Sequence, residues 1–268
     1  MEGEKIEITS NDSGASPELK ERHVVSVPYV QQCYHWDCGL ACVSMILQMF
    51  KEPCDDVYTK DLDFVQCGES VWTIDLAYIL NRHKVHTSMY TVTLGVHESH
   101  HKKAFYKESI GEDAIRVNKM FDNALQNGLS VEKRSLSIDD LMEHLQRDNP
   151  VIALVDWTQM KCEWCDSKLK QCWSCITCHA GPYQGHYVVV CGYDRQKGLI
   201  YYKNPDARAH DMCCMQMSQF DKARTSDGTD EDILYIYNTT FRGGEGDIRF
   251  MDHQEQSWAS SHRRGDSE

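Results

Sequence analysis

The strongest constraint on the fold is the run that follows Cys38 and Gly39, which reads LACVSMIL over residues 40–47. A helix that is apolar on every side can only sit inside a core, because a surface helix shows a single apolar stripe. The rest of the chain must therefore wrap around this helix, which is expected to end near Phe50. With 268 residues, 41% of them hydrophobic, there is material for one domain with a sizeable core. The same reading puts Cys38 at or just before the helix N-terminus. Unpaired backbone N–H groups and the helix dipole favour a thiolate there. Gly39 would leave the backbone open to a substrate, and Gln32 could aim a side-chain N–H at an oxyanion.

The polar stretch 1–22 is expected to be a disordered tail, 23–238 a single domain with a cysteine-rich insertion at 160–180, and 239–268 a second tail. Helical spacing covers 72–81, 113–126 and 138–147, the last capped by Ser137 with Asp140. Extended patterns cover 85–94, 129–136 and 151–156. A hairpin is expected from 186–193 and 199–203, turning at Lys197-Gly198, and a last strand over 233–237. Residues 61–70 show no regular pattern. Helices gather in the first half and strands in the second, which predicts an α+β fold.

A nucleophilic cysteine needs a base. His186 opens the apolar strand HYVVVCGYD and falls in the interval, about 130–150 residues past the cysteine, found in papain-like enzymes. Its imidazole could take the Cys38 proton and return it to a leaving group. Asn204, in KNPD after the next strand, could fix the imidazole tautomer, with Asp206 as the alternative third member.

Gln32-x5-Cys38-Gly39, with Asp37 before and Ala41 after, resembles the papain-like cysteine peptidases, above all their bacteriocin-leader-processing branch. That resemblance implies a helical half carrying the cysteine and an antiparallel-sheet half carrying the histidine. It also implies a peptidase or isopeptidase acting on a peptide or protein. Over a broader span, WDCGLACV, WTIDLAYIL, IALVD, HYVVVCGYD and ARTSDGTDEDIL resemble the guanylyl cyclase domain-containing proteins and the soluble plant guanylyl cyclases. That family name implies cyclisation of GTP, which normally needs metal ions on the triphosphate. Asp194, Asp206, Asp230, Glu231 and Asp232 are acidic candidates, but no phosphate loop of the P-loop type is present. Thiol hydrolase, cyclase and a catalytically silent binding module all stay open at this point.

The insertion reads CEWCDSKLKQCWSCITCH. Cys162, Cys165, Cys172 and Cys175 form two C-x2-C pairs, and four thiolates satisfy tetrahedral zinc in a structural site. His97, His100 and His101 supply no clear ligand set and read as a solvated loop. A net charge of -13 argues against a nucleic-acid partner. No apolar run approaches the ~20 residues of a membrane span, and no secretory signal is visible. Thirteen cysteines without a signal suit a reducing compartment, the cytoplasm or also the nucleus.

Overall fold

The computed structural model describes residues 18–96, 110–165, 183–206 and 211–238. Most of both expected tails, the three histidines at 97–101 and the second cysteine pair lie outside these residues. Helix α1, Cys38–Met49, is buried from Cys38 through Leu47, as an all-apolar helix must be. It packs on strand β5 (Gly185–Asp194) and on α3 (Thr73–Arg82).

β5 is the longest strand among the described residues. Along one edge its first half pairs antiparallel with β4 (Val151–Asp156), and its last three residues pair with β1 (Arg22–Val24). Along the other edge it pairs with β6 (Leu199–Lys203), with the register shifting between Val190 and Gly192. The sheet runs in the order β3 (Ser130–Lys133), β2 (Thr87–Thr91), β8 (Ile233–Ile236), β4, β5, β6, β7 (Cys213–Gln216). Its pairings are antiparallel except that between β2 and β3, which is parallel. Gly192 pairs with Val24 of β1, and a Cβ there would lie 2.5 Å from the His23 carbonyl oxygen.

The α+β class holds, with the cysteine on a helix and the histidine on the sheet, but the division along the chain is less clean than expected. β2 and β3, from the first half, join the common sheet. In the second half α6 (Met217–Arg224) packs against β4. Residues 60–65 form α2 (Lys60–Val65), ended by Gln66 in the left-handed conformation. Arg22, placed by the sequence reading in a tail, opens β1. A buried ion pair joins α3 to α4 (Ile110–Asn123): Arg116 binds Asp75 and Asp113 and also donates to the Val65 and Ser70 carbonyls. Helix α5 (Ile138–Leu145) starts with the expected Ser137–Asp140 capping box.

Candidate active site

Cys38 is the first residue of α1, and the backbone N–H groups of Tyr187 in β5 and of Gly39 act to lower its pKa. These donors favour the thiolate, but burial outweighs them and pushes the thiol up to about 11, with Asp37 adding a smaller push. Burial therefore works against the thiolate expected from the helix end. A Cβ on Gly39 would lie 3.0 Å from Leu76 and 3.1 Å from Tyr187, so its smallness serves the packing of α1.

His186, beside Tyr187 at the start of β5, is buried opposite Val155 of β4. Its Nε2 lies 2.9 Å from Asn204 Oδ1, and that oxygen also accepts the Asp206 backbone N–H at 3.1 Å. An oxygen already accepting one N–H is an acceptor for the other nitrogen too, so the network assigns the imidazole proton to Nε2 and leaves Nδ1 as the basic atom. Burial lowers the His186 pKa, while Asn204 and the Asp206 charge oppose the shift. The Trp157 ring lies with its centroid 4.5 Å from that of His186. Trp157 comes from the 3-10 turn after β4, and its backbone N–H is held by the Gln184 carbonyl at 2.8 Å.

The loop before α1 is tied to the loop after β6. Gln32 N donates to the Pro205 carbonyl at 3.0 Å, and Tyr29 Oη to the same oxygen at 3.3 Å. Asp37, fully buried, accepts the backbone N–H groups of Cys33 and Tyr34. The Gln32 side chain does not stand free: its Nε2 donates to the Tyr34 carbonyl at 2.7 Å, and its Oε1 is buried without a partner. One amide hydrogen remains for an oxyanion. The structure thus joins His186 to Asn204, seats Cys38 against the neighbouring residue of the same strand, and turns Gln32 toward its own loop. Asp206 meets Asn204 through its backbone N–H. Trp157 and the Tyr187 N–H were missed by sequence reasoning, since neither carries a motif.

A second cluster joins the insertion to β7. The sulfurs of Cys162, Cys165 and Cys213 all fall within 4.8 Å of one another, a group that could hold a metal ion. Cys213, in β7, was not among the expected ligands, and the expected Cys172 and Cys175 lie outside the described residues. Among the described residues no three carboxylates converge in this way. Of the acidic candidates, Glu231 accepts the Ser135 hydroxyl and Asp230 the Thr93 hydroxyl.

The family model described as guanylylate cyclase matches residues 27–236. The chain belongs to that family. It is 36% identical over 224 residues to the Arabidopsis thaliana protein named guanylyl cyclase 1, covering 83% of this chain and 79% of the plant protein. Among solved structures it is similar to a putative C39-like peptidase from Bacillus anthracis, with a TM-score of 0.46, 13% identity, and coverage of 81% of this chain and 98% of that one. It is also similar to a double glycine motif protease from an AMS/PCAT transporter in complex with the leader peptide, with a TM-score of 0.38, 14% identity, and coverage of 81% and 95%.

Proposed function

We propose that this member of the guanylylate cyclase family is a papain-like thiol hydrolase, a peptidase or isopeptidase, with Cys38 as nucleophile and His186 as base. The supporting observation is the hydrogen bond from His186 to Asn204, which leaves Nδ1 unprotonated at the strand position next to the residue that contacts Cys38. In the proposed reaction the Cys38 thiol gives its proton to His186 Nδ1 as sulfur bonds to the acyl carbon. The imidazolium then protonates the leaving amine, and water, deprotonated by His186, cleaves the thioester. Asn204 holds the ring in its tautomer, and the second amide hydrogen of Gln32 meets the oxyanion.

A neutral pair suits this order of events, since burial raises Cys38 and lowers His186. Ionisation is then driven by the attack itself. A peptide or protein is the proposed substrate. Exposed Tyr34, stacked on Trp36 at 5.8 Å in the loop leading to Cys38, offers it an apolar ledge.

No helix among the described residues is long and apolar enough to cross a membrane. We place the protein in the cytoplasm or nucleus, where its free cysteines stay reduced. A structural zinc ion is the proposed cofactor, held by thiolates of the insertion.

Family membership favours a second reading, conversion of GTP to cyclic GMP. The two are separated by assaying one preparation for peptide-library cleavage and for GTP conversion with magnesium, alongside Cys38→Ala. Peptide cleavage lost in Cys38→Ala supports the hydrolase. Cyclic GMP formed equally well by Cys38→Ala overturns it.

A further inference from the structure

We propose that Cys162, Cys165 and Cys213 bind one zinc ion, which staples the β4–β5 insertion to β7 at the free edge of the sheet. The proposal rests on the zinc reading above, whose ligands it names, and is independent of the chemistry at Cys38. Thiolates about 2.3 Å from a tetrahedral zinc lie about 3.8 Å from one another. The Cys165 and Cys213 sulfurs are 3.9 Å apart, and the third sulfur completes a group within 4.8 Å. A disulfide would need about 2.05 Å. Three thiolate donors select a soft ion such as zinc over magnesium or calcium.

The backbone around the sulfurs is shaped to match. Cys165 N donates to Cys162 Sγ at 3.4 Å, closing the C-x2-C turn with an N–H aimed at sulfur. Glu163 N donates to the Cys214 carbonyl at 2.9 Å, adding a rung on the outer side of β7. Between the two cysteines, Trp164 reaches the Tyr201 ring of β6 at 5.8 Å. β7 ends the strand order, and an uncovered edge strand invites pairing with other chains. The turn covers that edge, and a metal bond to Cys213 would lock it there. Binding displaces the thiol protons to solvent. Three thiolates leave one tetrahedral position, whose occupant a cobalt spectrum reads.

The test uses the full chain, purified reduced and without chelator, with zinc measured by elemental analysis and cobalt(II) titrated into the apo-protein. The wild type should carry about one zinc per chain and show thiolate-to-cobalt charge transfer. Cys213→Ser should bind cobalt at least tenfold more weakly, with a diminished charge-transfer band, and should leave Cys162 and Cys165 open to alkylation with zinc present. Cys214→Ser, altered beside the cluster, should match the wild type. If Cys213→Ser does not fold, Cys213→Ala removes the ligand without burying a hydroxyl. A metal-free wild type that binds no cobalt would sink the zinc reading itself. Full metal and an unchanged band in the Cys213 variant, with loss in a Cys172→Ser/Cys175→Ser double variant, would keep zinc and overturn Cys213 as its ligand.

Discussion

At the scale of single residues, the site is governed by desolvation more than by the helix dipole. Cys38 has its N–H donors, yet burial holds the thiol near 11. Below so high a pKa the thiolate fraction rises tenfold with each unit of pH. The alkylation rate of Cys38, followed by peptide mapping, should therefore climb about tenfold per unit from pH 7 to 10; a plateau reached below pH 8 would contradict this. In the proposed mechanism Asn204, hydrogen-bonded to His186, acts through it. Asn204→Ala should lower acyl transfer to Cys38 by about 10²-fold. Asn204→Asp should keep most of the activity and move the acid limb of the pH–rate profile upward, because a carboxylate beside the imidazole favours its protonated form. An acid limb that stays put in Asn204→Asp would argue that the contact does not tune the base.

At the scale of elements, the pairing of β1 with β5 depends on one missing side chain. A methyl on Gly192 would press on the His23 carbonyl at 2.5 Å and on Val24 Cα at 3.0 Å, both backbone atoms that cannot rotate away. Gly192→Ala should cost about 2 kcal/mol, read as a lower urea midpoint with an unchanged slope; an unaltered midpoint would mean that β1 lifts off freely. Which elements were legible follows from how their burial is decided. α1 is apolar nearly all round and β4 is apolar from Val151 to Val155, so the sequence alone marks them as interior, and β4 spans the expected Val151–Asp156. The His186–Lys203 hairpin was legible from its two apolar runs and the Lys197-Gly198 turn. α2, β7 and α6 were not, because six, four and eight residues carry little periodicity and their burial comes from neighbours distant in sequence. Cys213 was missed for the same reason: spacing reveals ligands only within one stretch, and β7 lies 48 residues beyond Cys165. Gln32 was found by spacing, but spacing could not show that its amide already serves Tyr34.

At the scale of the whole molecule, stability should carry the signature of one buried acid. Asp232 is pushed up to about 8 by burial, with Asp230 adding to the shift, and its Oδ1 has no hydrogen-bond partner. A raised acid keeps its proton in the fold and loses it when unfolded, so its contribution is complete below the unfolded pKa and falls as pH rises toward 8. Buried His144, lowered to about 3, acts in the opposite sense, but only as pH falls below 6.5. Cys162, whose thiol is lowered by its hydrogen bond to Cys213, gains stability with pH over the same window, so the Asp232 effect is read between variants. From pH 6.5 to 8 the stability of Asp232→Asn should rise relative to the wild type by about 2 kcal/mol in chemical denaturation. Wild-type and Asp232→Asn profiles that run parallel across this window would show that the acid is ionised in the fold.

The hydrolase reading stands on a transient bond between Cys38 and an acyl group. A small activated thioester, mixed with the protein and quenched in acid at intervals, reads that bond directly by peptide mass mapping. An acyl group should form on Cys38 and then decay by hydrolysis, form far more slowly in His186→Ala, and shift to no other cysteine in Cys38→Ala. Acylation confined to the exposed Cys33 or half-buried Cys54, with Cys38 unmodified and no dependence on His186, would contradict it.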